Sequence, residues 1–282
     1  MYGKKIVTQG SVYAVVVFFV MVSALPFAYM AITAFKTNHD IFTIARDRPP
    51  FFVNESPTLD HFNLLFNETL FFTFIRNTFV IGALVVAITL LVAVPAAYSL
   101  ARMVGHWGES LGIGIFLTYL VPPSLLFIPL ARVVAELGLQ NSLWALVIVY
   151  PTFTIPFCTW LLMGFFKSIP RDIEEQAMID GYNRVQAIIK TVLPLSIPGL
   201  LMVVVFAFTL STHEFIYALT FVQTNVEKPI STGIPTELVR GDVFRWGPLL
   251  AGAFLASLPP AILYSFFLDR FISGFTAGAV KG

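Results

Sequence analysis

An apolar chain has few places to keep a charge, and one pair stands out here: His213 beside Glu214, near one end of an otherwise uncharged run. A carboxylate at the centre of a membrane helix costs roughly 2.5 to 3.5 kcal/mol on insertion scales, and less near an interface. Glu214 is therefore expected to face protein or water. Two roles are open to it: lining a solute path, where it would accept hydrogen bonds from hydroxyl groups, or fixing helix packing through an ion pair or an interface-level contact. His213 has no second His or Cys at ligand spacing, so it is expected to be a hydrogen-bonded packing residue and not a metal ligand. The other histidines, His39, His61 and His106, are scattered and form no HExxH pattern. Cys158 is the single cysteine, which excludes an internal disulfide or a cysteine-based zinc site. No stretch fits GxxxxGK[ST], the pattern whose amides and lysine hold nucleotide phosphates. The chain is expected to be no enzyme, to bind no cofactor and to take any ATP-derived energy from elsewhere.

The elements that must position these residues follow from composition. With 57% hydrophobic and 12% charged residues among 282, a soluble domain is excluded. A net charge of +1 offers no basic field for nucleic acid. A bilayer core of about 30 Å needs roughly 20 apolar helical residues. Six runs qualify: 11–35, 74–100, 110–130, 143–166, 197–219 and 248–268. Their Ala, Leu, Val and Phe suit helices, not the alternation of a barrel strand. The expected fold is an all-α integral membrane protein with six transmembrane helices. The first run follows Lys4 and Lys5 as a signal peptide would, but it is too long for an h-region and is expected to be retained.

An even number of spans puts both termini on one side, together with the loops 101–109 and 167–194. That side carries Lys4, Lys5, Arg102, Lys167, Arg171, Arg184, Lys190, Arg270 and Lys281, a small excess that reads as cytoplasmic. The expected organisation is a cytoplasmic N-terminus (1–10), one transmembrane domain (11–271) with an external loop at 36–73, and a cytoplasmic tail (272–282). The external loop is expected to be ordered, with one short helix. Pro122, Pro123 and Pro129 are expected to interrupt the third span, Pro151 and Pro156 the fourth, and Pro259 and Pro260 the sixth, while Pro26 and Pro95 sit in the first and second. Broken helices can aim backbone dipoles at a pathway, and ordinary kinking is the other reading. Pro122 and Pro123 are the stronger path candidates. Arg76 and Asn77 are expected to anchor the second span at the outer interface. The 29 phenylalanines give no individual assignment.

Between the fourth and fifth runs lies a loop unlike a plain connection. Asp172 with Glu175 three residues later makes a capping box, Ile173 and Ala177 share a helical face, and Gly181 stands where a positive φ is easiest. Asn183 can cap a second helix in which Val185, Ile188, Ile189 and Val192 recur at helical spacing before Pro194 ends it. Two short amphipathic helices joined at a glycine form an elbow that needs a surface to dock on.

This loop resembles the EAA motif of the permease subunits of bacterial ATP-binding-cassette importers: Glu-Ala-Ala, three residues, Gly, nine residues, Ile, one residue, Leu-Pro. Glu175, Ala177, Gly181, Leu193 and Pro194 fall at its positions, and Asp180 supplies the Asp-Gly often seen there, while Gln176 and Thr191 depart from the pattern. The phrase LGLQNSLWALVIVYP and the ending GFTAGAVKG extend the resemblance to the maltose-type, carbohydrate-uptake branch. Thr212 and His213 stand where that branch often has Trp-Asn before the acid that Glu214 keeps.

The resemblance implies a type I, MetI-like permease fold, with a cytoplasmic coupling helix between the fourth and fifth spans, in the bacterial inner membrane. It implies as partners a second permease, two ATPase subunits that bind ATP and Mg, an extracytoplasmic substrate-binding protein and a carbohydrate substrate. Glu175, Ala177, Asp180, Gly181, Leu193 and Pro194 would couple to the ATPase, with Ala277, Gly278, Val280 and Lys281 as a secondary contact. ATPase closure would move the elbow as a lever on the attached spans. A non-sugar solute such as a glycerol phosphate is the alternative on the same scaffold. An ion-gradient-driven secondary transporter is the alternative from another class; it would need ionisable groups in several spans, and only Glu214 with His213 offers them.

Overall fold

The computed structural model describes the backbone of residues 2–43 and 50–279, and the side chains of 11–43 and 50–267. The elements in chain order are α1 (Tyr2–Ala34), α2 (Asn38–Phe42), α3 (Asp60–Glu68), α4 (Phe71–Arg102), α5 (Trp107–Tyr119), α6 (Pro123–Glu136), α7 (Leu143–Val149), α8 (Pro151–Ser168), α9 (Arg171–Ile179) and α10 (Arg184–Ala187). After a π turn at Ile188–Val192 come α11 (Leu193–Leu195), α12 (Ile197–His213), α13 (Ile216–Phe221), a 3-10 turn at Asn225–Glu227, α14 (Ile230–Leu238), a hairpin of β1 (Val239–Arg240) and β2 (Val243–Phe244), and α15 (Trp246–Ala279).

By length and composition, four helices among the described residues can cross a membrane: Ser11–Ala34, Phe71–Arg102, Leu143–Ser168 and Trp246–Phe267. The number becomes six if two bent pairs each count as one span. The first pair, α5 and α6, turns through 87°, and the second, Arg184–Leu195 with α12, through 74°. The third run is thus not one straight helix. Pro122 has no backbone donor and holds ψ at 133°, outside the helical region, so α6 starts afresh with Pro123 in its first turn. Of the other expected interruptions, the one at Pro151 occurs, since α7 ends at Val149 and α8 opens on Pro151, and those at Pro129, Pro156, Pro259 and Pro260 do not. α6 runs through Pro129, α8 through Pro156 and α15 through Pro259 and Pro260, because neighbouring turns keep their bonds around a single missing donor. The fifth run also stops early: α12 ends at His213, and Glu214 is extended (ψ 130°) before α13.

The described residues fall into two compact units. The first, Met1–Phe71 with Ile234–Leu258, holds α1, most of the segment 36–73 and the hairpin. Among its described residues that segment contains two short helices, α2 and α3, where the sequence predicts one. Thr37 caps α2 by accepting from the Asp40 amide at 3.1 Å. Asp40 is buried 3.8 Å from the Lys36 ammonium and accepts from both nitrogens of Asn54, at 3.0 and 2.8 Å. Burial pushes the Asp40 carboxyl up, but the Asn54 bonds and the Lys36 charge outweigh it and hold the group below its ordinary 3.8. His61, buried on α3, meets the Lys36 carbonyl at 2.8 Å through Nε2; burial pushes its pKa below 6.5, partly offset by that bond and by Asp60.

In the second unit, Phe72–Gly233 with Pro259–Gly282, two of the apolar clusters position the site. In one, Ala93, Ala97 and Tyr98 of α4 pack with Cys158, Leu162 and Phe166 of α8 and with Val203 and Ala207 of α12. In the other, Ile81 and Val85 of α4 join Val134 of α6, α7, and Tyr217, Ala218 and Phe221 of α13. Close approach in this unit relies on glycine. A Cβ on Gly82 would stand 2.6 Å from the Phe208 ring, and one on Gly199 2.7 Å from that of Phe165.

Candidate functional site

The elbow is built by local chemistry. α9 closes with a Schellman motif: the Gly181 amide donates to the Met178 carbonyl and the Tyr182 amide to that of Ala177, both at 3.1 Å. Gly181 has φ +94°, a conformation that side-chain-bearing residues rarely take. The second leg starts with a reciprocal cap, Gln186 amide to Asn183 Oδ1 (2.9 Å) and Asn183 amide to Gln186 Oε1 (3.0 Å). Lys190 then places its ammonium 4.6 Å over the Tyr182 ring, tying the second leg to the turn.

Two expectations about the elbow are corrected. Asp172 is not the N-cap of α9: the helix begins at Arg171 with Pro170 in the cap position, so Asp172 lies inside the first turn, where its charge still complements the helix dipole. Pro194 does not end the second helix. It sits in the first turn of α11, where its missing donor is no loss, and the chain winds into α11 through the π turn. The bend into α12 comes at Ser196, whose hydroxyl and amide both return to the Val192 carbonyl, at 2.6 and 3.0 Å.

One face of α9 is inward: Glu174 and Ala177 are buried and Ile173 and Met178 half-buried. Glu175, Gln176 and Asp180 point out, and Ile179 is 84% exposed. Across the turn, Val185 and Ile189 are also exposed. Leu193 is half-buried and Pro194 exposed. The elbow therefore offers acidic and apolar groups together, and none of the described residues covers them.

The sequence reading passed over the residues that hold α9 from behind. The Tyr98 hydroxyl on α4 donates to Glu174, and Tyr98 itself stands edge-on to Phe166 at 6.0 Å. One turn further, Arg102 Nη2 donates to the Ile169 carbonyl at 2.6 Å, just before α9. The one signal in the sequence was an acid, Glu174, on the apolar face set by Ile173 and Ala177.

The four path candidates come together. Pro122, Pro123, His213 and Glu214 line one cavity of about 500 Å³, where the α5–α6 break faces the α12–α13 break. Tyr119, Phe153 and Tyr217 give it aromatic walls, and Thr118, Thr152 and Thr209 add hydroxyls. His213 is exposed and Glu214 half-buried. The Glu214 carboxylate accepts from the Tyr217 amide through Oε1 (2.9 Å), and from the Ala218 amide (3.0 Å) and Tyr150 hydroxyl (3.0 Å) through Oε2. It thereby satisfies the first free amides of α13. Asn77 is buried inside protein: its Nδ2 donates to the carbonyls of Val226 (2.8 Å) and Lys228 (3.0 Å). Of the expected tail contact, Ala277 and Gly278 belong to α15 by backbone alone, and Val280 and Lys281 lie outside the described residues.

Residues 93–276 match the family described as binding-protein-dependent transport system inner membrane component. The chain is 34% identical over 258 residues to a sulfoquinovosyl glycerol transport system permease protein of Agrobacterium fabrum, covering 91% of this chain and 88% of that one. It is 29% identical to a trehalose/maltose transport system permease protein of Thermococcus litoralis, covering 93% of each. A crystal structure of a bacterial ABC transporter that imports the acidic polysaccharide alginate has a chain of the same fold, with a TM-score of 0.75 at 20% identity over 94% of this chain and 96% of that one.

Proposed function

The chain belongs to the family of binding-protein-dependent transport system inner membrane components, and from that membership we propose that it forms half of the translocation pathway of an ATP-driven importer for a di- or oligosaccharide. In this reading each bent pair is one span, six in all, both termini are cytoplasmic, and α9 is the coupling helix. A second permease completes the path, two ATPase subunits hold ATP and Mg, and an extracytoplasmic binding protein delivers the solute.

The observation that carries the reading is the elbow: a glycine turn at φ +94°, stabilised at both ends, that presents Glu175 and Ile179 outward. Such a segment keeps its shape when pushed, so force applied by a motor subunit passes to α8 and α12 without being lost in the loop. The cavity supports the choice of solute. Aromatic faces stack on pyranose rings and threonine hydroxyls pair with sugar hydroxyls, and among the described residues no Lys or Arg lines it to favour a phosphate ester. The named solutes of the relatives, sulfoquinovosyl glycerol and trehalose or maltose, are carbohydrates or their glycosides.

The test is purification from the native membrane followed by ATP hydrolysis assays on the reconstituted complex with its binding protein. Co-purifying ATPase subunits and hydrolysis stimulated by a saccharide are expected, and Ile179→Asp should weaken retention of the ATPase. Isolation as a lone chain, or stimulation only by a non-sugar solute, refutes the proposal or its substrate assignment respectively.

A further inference from the structure

α4 runs without interruption from Phe71 to Arg102, and hydrogen bonds hold it at both ends to segments far apart in sequence. At one end Tyr98 donates to Glu174, and Arg102 to the Ile169 carbonyl, so the helix grips α9 and the residue that caps the end of α8, two positions before it. At the other end Asn77 donates to Val226 and Lys228, and Thr78 Oγ1 accepts from the Ile230 amide at 2.8 Å. From Asn77 to Tyr98 is about 32 Å at 1.5 Å per residue, close to the thickness of a bilayer core. Glu227, in the segment so held, accepts from the Leu143 amide at 3.1 Å and thereby caps the start of α7.

We propose that α4 is a strut that carries displacement of α9 to the segment 225–230 on the opposite face of the membrane, with Tyr98, Glu174 and Asn77 as its positioning residues. The proposal rests on the importer reading. It departs from a lever acting only through α8 and α12, because those helices are covalently joined to the elbow whereas α4 meets it only through side chains. Tyr98 and Glu174 are both buried, so their bond is protected from competing water and has a preferred geometry. A contact of that kind is rigid while it lasts and can be removed by deleting one oxygen.

The experiment uses the whole complex in proteoliposomes and reads saccharide taken up per ATP hydrolysed. Tyr98→Phe and Asn77→Ala are each expected to lower that ratio fivefold or more at equal yield of assembled complex. The double variant should fall well short of the product of the two single effects, since both changes loosen the same strut. Glu174→Gln, whose amide oxygen still accepts from Tyr98, should stay within twofold of the parent. An unchanged ratio in either single variant, or effects that multiply in the double, overturns the proposal. A second measurement covers variants that fail to assemble: hydrogen–deuterium exchange on the parent complex, with and without nucleotide-driven closure. Protection should change at 225–230 together with 171–181, and a change confined to 171–181 overturns the strut. If the parent complex itself couples no uptake to ATP, the importer reading has failed, and the strut with it.

Discussion

Substituting Gly181 separates conformation from size at the elbow. Among the described residues, no atom beyond its own chain neighbours lies within 4 Å of where its Cβ would stand, so the penalty is conformational and not steric. An L residue in the left-handed region costs roughly 1 to 2 kcal/mol, and a β-branched one more. Proline cannot reach φ +94° at all and removes the amide that donates to Met178, a bond worth about 0.5 to 1.5 kcal/mol net. Gly181→Ala should therefore shift the elbow away from its working shape by a factor of about 5 to 30, Gly181→Val further, and Gly181→Pro so far that coupling or assembly is lost. The assay is saccharide-stimulated ATP hydrolysis and uptake by the reconstituted complex across the series. Parent-like coupling in Gly181→Pro would refute the reasoning. So would an alanine variant as defective as the proline one, because the open space around the site leaves only backbone shape to distinguish them.

Glu214→Ala removes the acceptor for Tyr150, Tyr217 and Ala218 and should lower stability by about 1 to 3 kcal/mol, read as a lower Tm in detergent; lost uptake with an unchanged Tm would assign Glu214 to solute binding instead. Gly199→Leu drives a side chain into the Phe165 ring and should destabilise the α8–α12 packing by about 1 to 3 kcal/mol, and a Tm equal to the parent's would contradict the close approach seen there. The segment around α2 and α3 should loosen in acid. The Asp40 carboxyl lies below 3.8 in the fold, so its contribution is present above 3.8 and is lost as pH falls through its folded value; burial holds His61 below 6.5, so stability also declines as pH drops beneath 6.5. Protease cleavage within 50–70 across a pH series measures this, with Asp40→Asn and His61→Gln flattening the two steps.

Local chemistry was legible in the sequence. A glycine after an amphipathic turn and an Asn three residues before a Gln each have one favoured use, and Gly181 and Asn183 adopt it. Pro122 and Pro123 marked a break, but its 87° angle depends on what the two half-helices pack against, which adjacent residues do not encode. The grip of Tyr98 on Glu174 spans 76 positions and has no local signature. Glu214 shows the same limit from the other side. Its identity announced an acid turned to protein or water, but whether its oxygens faced a solute or the amides of α13 depended on where α12 stopped, and nothing between Ser211 and Phe215 signals a stop.

The wide turn at Ile188–Val192 makes this part of the chain sensitive to register. An α-helix advances about 100° per residue, so deleting one residue there to restore regular winding would swing Asn183–Ala187 about a quarter of the way round the axis and carry Val185 away from its outward position. Regular winding would also press the Pro194 ring against the carbonyl four residues earlier, a clash that the looser turn accommodates. Exchanges of side chain in this stretch should therefore be tolerated far better than any insertion or deletion.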